Sequence, residues 1–378
     1  MRIDVEATFA SACALHRVEP FEVEAFDLRG LNILADDACA MARDDRDVQR
    51  AFNWITNQVS IRVLLEKRLR DEPALRDVPV TAPVFIIGSG RTGSTLLQWL
   101  LALEPSLRSP HLWELMSPMY ANNPASRRWH IEACEKVLKR VPAAAMELHP
   151  LAAQAPDECH WILRHNPVRA GMHRAPRYGE WLYSLELTAL RAVFEGYRRQ
   201  VQVLQAADPG RHWLSKTFAH MHYWPVLFDV FPDARVIRLH RDPRQSIASN
   251  CSLQRHLSQG IDPLVIGDDL LAATRDGQYR MMFADDRAPP GQVIDVMYED
   301  LRAAPAKVAR DLAAWLKIPD EAAFGGRVDR YLADAASIRA APHSPSLDDF
   351  GLTEHDVLDR LEPYIAWVRA RLDPGFCR

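Results

Sequence analysis

The stretch Val84-Phe85-Ile86-Ile87-Gly88-Ser89-Gly90-Arg91-Thr92-Gly93-Ser94-Thr95 decides how this chain folds. Its first four residues are a short apolar run of the kind that fills a strand buried on both faces of a parallel sheet. Gly88 through Thr95 reads as a turn, and Leu96 to Leu103, almost wholly apolar, reads as a buried helix ended by Pro105. Glycines in such a turn let backbone amides point inward around an anion. The helix that follows adds its free N–H groups and the positive end of its dipole. The G-x4-G spacing is that of a nucleoside-triphosphate loop, but Ser94 stands where that motif carries lysine. The cation here is Arg91, three residues earlier. The loop therefore suits an anion held by arginine, hydroxyls and amides without an obligatory metal, with a divergent triphosphate loop as the alternative.

Outward from this turn the pattern alternates. His212 to Ser215, Arg235 to His240 and Gln292 to Met297 read as strands. Helical spacing falls at about 185–207, 222–231 and 306–317. Alternating strands and helices predict an α/β protein with a central parallel sheet flanked by helices. Asp242-Pro243 reads as a helix cap and first helical residue. Residues 1–75 read as a helical N-terminal segment, 80–320 as the core and 321–378 as a C-terminal segment. Residues 106–185, rich in Pro, Trp, Met and His, read as irregular insertion material over an acceptor site. The expectation is a single domain over 1–378, with no internal repeat.

Composition narrows the function. The chain has 378 residues, 48% of them hydrophobic, enough for a sizeable core. A formal net charge of −4 gives no support to general nucleic-acid binding. The six cysteines have no CxxC pair and read as reduced thiols, so neither a disulfide frame nor a metal site is expected. There is no apolar h-region at the start and no long uncharged apolar stretch, so the expected location is the cytoplasm, without a transmembrane segment.

A second anion site is written around the strand at 235–240. Arg241 follows that strand, and Ser249 lies eight residues on, two turns into the next helix. Carboxyl ends of strands are where ligands bind in open α/β sheets. With the loop at Gly88, the pair suggests a ligand with two separated anionic groups. Together the two sites resemble the sulfotransferases that use 3′-phosphoadenosine-5′-phosphosulfate (PAPS). Arg91-Thr92-Gly93-Ser94-Thr95 is similar to their 5′-phosphosulfate loop, and Arg241 with Ser249 to their 3′-phosphate pair. Further segments resemble a bacterial small-molecule and lipid-type branch: Pro110 to Leu115, Pro156-Asp157-Glu158-Cys159, Trp213-Leu214-Ser215-Lys216, Phe231 to Ala234 and Met297-Tyr298-Glu299-Asp300-Leu301.

The resemblance implies a P-loop-like fold, no metal, PAPS as donor and 3′-phosphoadenosine-5′-phosphate (PAP) as product. Arg91, Thr92, Gly93, Ser94 and Thr95 would hold the 5′-phosphosulfate, Arg241 and Ser249 the 3′-phosphate, and Tyr298 would lie near the adenine. In animal cytosolic relatives a catalytic histidine comes two residues after the lysine matched by Lys216; here that residue is Phe218, which cannot take a proton. In-line sulfuryl transfer needs a base and cations at the transferred group. Glu114, beside Trp113, is the first expectation for the base, His111 the second and His220 the third. Lys216 would neutralise the sulfuryl oxygens, and Glu158 would orient a neighbour or touch the acceptor. Trp113, Met116, Met119, Tyr120, Trp161, Trp181 and Tyr183 could line an apolar pocket for a hydroxylated small-molecule or lipid acceptor. Two other readings stay open: a P-loop kinase-like phosphotransferase, and a non-catalytic nucleotide-binding homologue.

Overall fold

The computed structural model describes residues 3–163, 175–335 and 345–377. Three helices come first: α1 (Val5–His16), α2 (Ala25–Ala40) and α3 (Asp45–Asp71). Then follow β1 (Val84–Ile87), α4 (Ser94–Leu101), β2 (Leu107–Arg108), α5 (Leu112–Met116), α6 (Pro124–Leu138), α7 (Ala143–Leu148), α8 (Pro176–Tyr183) and α9 (Leu187–Gln205). The rest alternates as β3 (His212–Lys216), α10 (His220–Val230), β4 (Arg235–His240), α11 (Pro243–Leu257), α12 (Pro263–Phe283), β5 (Val293–Met297), α13 (Tyr298–Ala303) and α14 (Pro305–Leu316). Helices α15 (Glu321–Ala335), α16 (Glu354–Arg360) and α17 (Glu362–Arg371) complete it.

The strands form one parallel sheet in the order β2-β3-β1-β4-β5. Val84 of β1 aligns with Leu214 of β3 on one side and Arg235 of β4 on the other. The two apolar sets of β1 point to opposite faces, as the two-residue strand period requires. Phe85 and Ile87 join the core under α9, α10, α11, α12 and α17. Val84 and Ile86 join the core under α4, α14 and α15. Both faces are thus covered, which is why the run is uninterruptedly apolar. Asp242 caps α11 by accepting from the Arg244 amide, with Pro243 at the first helical position, as expected.

The segment 106–185 differs from the expectation of irregular insertion material. Among its described residues it is built largely of helices, and it supplies the edge strand β2, which pairs with β3. Its prolines do not mark breaks. Pro124 and Pro176 begin α6 and α8, where a missing N–H is harmless, and do not interrupt helices. The same segment also holds down the N-terminal helices. Tyr178, Trp181 and Leu182 of α8 share a core with α1, α2 and α3, and Asp37 of α2 accepts from the Arg177 side chain and the Tyr178 amide. A buried ion pair at 2.9 Å, Arg62 with Asp27, ties α3 to α2. Helix α12 went unread, although Asp262 caps it and Pro263 opens it.

Candidate active site

Four of the expected site elements stand at the carboxyl ends of four adjacent parallel strands: the Gly88–Gly93 turn after β1, Lys216 ending β3, Arg241 after β4 and Tyr298 after β5. Sheet order reverses around β1, the place where open α/β sheets bind ligands. The turn is fixed by its own atoms. A Cβ on Gly88 would lie 2.6 Å from the Leu239 carbonyl oxygen, so only glycine fits against β4. Gly93 has φ of +80° and no side chain caps α4, so the helix presents free N–H groups to the cleft. Thr92, fully buried, donates its hydroxyl to the Ser89 carbonyl at 2.9 Å and so braces the turn from inside.

Arg91 and Arg241 meet at this turn. Arg91 Nε donates to Ser249 Oγ at 3.1 Å, and Arg241 Nη1 donates to the Arg91 carbonyl at 2.6 Å. The Arg241 guanidinium lies 4.1 Å from the centre of the Tyr298 ring, and that ring also packs against Gly93. Among the described residues neither arginine has a carboxylate within ion-pair distance. Burial, and then the positive charge of Arg241, lower the pKa of Arg91. Two like charges held together without a counter-ion form a site for an anion.

Next to them, buried Lys216 donates to Thr95 Oγ1 at 3.2 Å and to Glu158 Oε1 at 2.8 Å. Glu158 Oε2 lies 3.4 Å from His160 Nδ1. Burial pushes the Glu158 carboxyl up, but Lys216 and the imidazoles of His160 and His149 outweigh it and hold the group well below the usual carboxylate range. His149 borders the same space, its pKa lowered by burial and then by Lys216. These residues line a cleft of about 520 Å³ together with Ser94 and Thr95 of the loop and the apolar Leu151, Trp161, Phe218, Leu253 and Leu257. That volume is in the range of small-molecule sites.

The structure brings Arg91, Gly93, Ser94, Thr95, Lys216, Arg241, Ser249 and Tyr298 together, as the sequence led us to expect. Thr92 is present but turned inward. The three bases expected from sequence lie elsewhere. Glu114 is locked at the start of α5, accepting from Arg108 Nη2 at 2.8 Å and from the His111 amide at 2.8 Å. His111 is the cap of that helix, and neither residue lines the cleft. His220 is in the core with Nε2 2.7 Å from Ser215 Oγ, and burial pushes its pKa down to about 3. Of the aromatics and methionines expected around an acceptor only Trp161 lines the cleft. Trp113 packs in a core with Cys134, Trp181 in the N-terminal core, and Tyr183 on His222. Glu158 and Phe218 do line it. His149 and Asn250, whose amide would touch a Cβ on Gly90, went unread; neither belongs to a motif, and only folding places them.

A parallel sheet with a phosphate-type turn after its central strand defines the class: an α/β protein of the P-loop-like kind. Within that class a sequence model described as "Sulfotransferase family" matches residues 83–322, and the chain belongs to this family. It is similar to the omega-hydroxy-beta-dihydromenaquinone-9 sulfotransferases of Mycobacterium bovis and Mycobacterium tuberculosis. Each is 28% identical in an alignment 294 positions long that covers 74% of this chain and 74% of the relative. Among solved structures, sulfotransferase STF9 from Mycobacterium avium superposes with a TM-score of 0.81 at 25% identity, covering 96% of both chains. Sulfotransferase STF1 from Mycobacterium tuberculosis gives 0.79 at 24% identity, covering 95% of this chain and 98% of that one.

Proposed function

We propose that the chain transfers the sulfuryl group of PAPS to a hydroxyl of a small-molecule, lipid or glycolipid acceptor by in-line displacement, releasing PAP without a metal. The observation that carries this reading is the pair of arginines without a carboxylate partner, Arg91 and Arg241, converging on one turn, with Ser249 bonded to Arg91. Arg91, the free amides at the start of α4, Ser94 and Thr95 hold the 5′-phosphosulfate. Arg241 and Ser249 hold the 3′-phosphate, and the Tyr298 ring borders the adenine.

Lys216 marks the point of transfer, because its ammonium already touches Thr95 at the loop and Glu158 across the cleft. It neutralises charge developing on the sulfuryl and bridging oxygens. Glu158 then takes the acceptor proton, a role expected from sequence for Glu114. Its carboxylate is held ionised by Lys216, and its proton affinity rises as the ammonium turns toward the donor. His149 faces the same space and orients the hydroxyl. Apolar walls at Leu151, Trp161, Phe218 and Leu253 favour an acceptor with a hydrophobic body, in keeping with the menaquinone-derived substrate named for the mycobacterial relatives.

Titration with PAP and ATP, with and without magnesium, tests the donor assignment. PAP should bind without the metal, and Arg91→Ala or Arg241→Ala should each weaken it by about ten-fold to a hundred-fold, the worth of a charge-assisted hydrogen bond. Unchanged PAP affinity in both variants would overturn it. Transfer of labelled sulfate from PAPS to hydroxylated lipids separates an enzyme from a binder.

A further inference from the structure

Apolar residues that line the cleft are in series with exposed ones along two stripes. On α6, Trp129, Ala133 and Val137 recur every four residues and share one helical face. The next residue in that series, Val141, lines the cleft just beyond the helix. On α11, Leu253 and Leu257 have the same spacing and both line the cleft, the first buried and the second 47% exposed. Trp129 is 66% exposed and Val137 41%. The indole is held outward, set edge-on against His130, whose ring stacks in turn on Tyr120.

Cations accompany the α6 stripe. Lys136, Lys139 and Arg140 crowd the end of the helix, and among the described residues none has a carboxylate within ion-pair distance. Arg128 is 92% exposed, although paired with Glu132. Basic residues at a helix end complement its dipole. That accounts for one or two of them, and not for the exposed Trp129 and Val137 alongside. The concentration also runs against a formal net charge of −4 for the whole chain. A basic flank beside a tryptophan-bearing apolar stripe is the pattern of a helix lying in the interface of an anionic bilayer.

We propose that this rim docks the mouth of the cleft on an anionic lipid surface. Trp129, Val137 and Leu257 enter the headgroup region, and Lys136, Lys139 and Arg140 neutralise lipid charge. An acceptor with a long apolar chain then passes between the two stripes to Lys216 and Glu158 without crossing water. The delivery step rests on the lipid-acceptor reading above; the docking itself does not.

Flotation of the full chain with vesicles tests it, using phosphatidylcholine with and without phosphatidylglycerol at low and high salt. The chain should float with the phosphatidylglycerol vesicles at low salt only. Lys136→Glu with Arg140→Glu should weaken partitioning by about thirty-fold or more, at roughly five-fold for each cation lost near the surface. Trp129→Ser should weaken it too and remove part of the fluorescence quenching by brominated lipids, while Lys307→Glu on α14 should change nothing. PAP affinity, unchanged throughout, reports an intact fold. Absence of flotation, or rim variants that float like the wild type, would overturn the proposal. So would a dimer dissolved by Trp129→Ser in light scattering, which would assign the face to a second copy. Flotation without PAP binding would leave the docking standing and remove the donor reading instead.

Discussion

The wall of the cleft that we assign to the donor comes from the carboxyl ends of β1, β3, β4 and β5, whereas the opposite wall comes from the segment between β2 and α8 and from the end of α11. Parallel pairing sets the first wall. Once Val84 is in register with Leu214 and Arg235, the residues following each strand have nowhere else to emerge. Short helices and their packing set the second. His149 reaches the cleft because α7 ends there, and Glu114, only a few residues after β2, does not reach it because it is spent on Arg108. Chemistry at strand ends is therefore written locally, and chemistry at helix ends depends on how the helices settle.

The comparison is sharpest where the two walls touch, at Lys216 and Glu158. Glu158→Gln should lower kcat by about a hundred-fold to ten-thousand-fold, the usual worth of a positioned base, while PAP affinity changes little. Steady-state kinetics with PAPS and a hydroxylated lipid, alongside a PAP titration, checks both halves. Retained turnover would remove the base from Glu158. Lys216→Met should lower kcat and also weaken the donor, because the ammonium touches Thr95 of the loop.

Glu114 provides the opposite control. Removing its charge by Glu114→Gln leaves Arg108 buried and uncompensated, their side chains being only 13% and 9% exposed. A loss of about 3 kcal/mol in unfolding free energy is expected, as for other broken buried pairs. Turnover per folded molecule should stay at the wild-type level. Chemical denaturation and active-site-normalised kinetics separate the two effects, and a large loss of kcat in folded protein would return Glu114 to the mechanism.

Legibility followed the same division. Val84–Ile87, the glycine turn, Arg235–His240 and the Asp242 cap could be read one by one because each signal sits within a few residues. Arg91, Lys216 and Arg241 followed from them, since strand ends place them whatever the helices do, and Ser249 followed from the helix that the Asp242 cap starts. The acceptor side could not be read this way. Trp113, Trp181 and Tyr183 look alike in sequence to Trp161, and only packing sends the first three to cores and the last to the cleft. Pro124 and Pro176 look like breakers until the helices they start are seen. Glu158 was visible in its motif, but its standing as the carboxylate opposite Lys216 depends on a contact between residues 58 positions apart.

The smallest effect asks whether acid acts on the frame behind the strand ends or on the cleft itself. His220 and His222 of α10 are buried beside the sheet, and burial pushes both pKa values from 6.5 down to about 3. Neither ring nitrogen of His222 has a hydrogen-bond partner among the described residues. Both rings are therefore neutral in the folded chain, whereas the unfolded chain protonates them below pH 6.5. The unfolded state then binds more protons, so their contribution is full above pH 6.5 and is lost as pH falls toward 3. Each costs at most about 1.4 kcal/mol per pH unit inside that window. His222→Phe keeps an aromatic ring packed against Tyr183 and removes one of the two proton sites. It should raise Tm relative to the wild type at pH 5 and matter much less at pH 8. If the frame alone is acid-sensitive, PAP affinity of the folded protein stays level while Tm falls, and the variant recovers part of the loss. If PAP affinity instead rises as pH falls below 6.5 with Tm unchanged, a cation is forming in the cleft. His149, set against Lys216 and Glu158, is the imidazole whose replacement by phenylalanine should then flatten the profile.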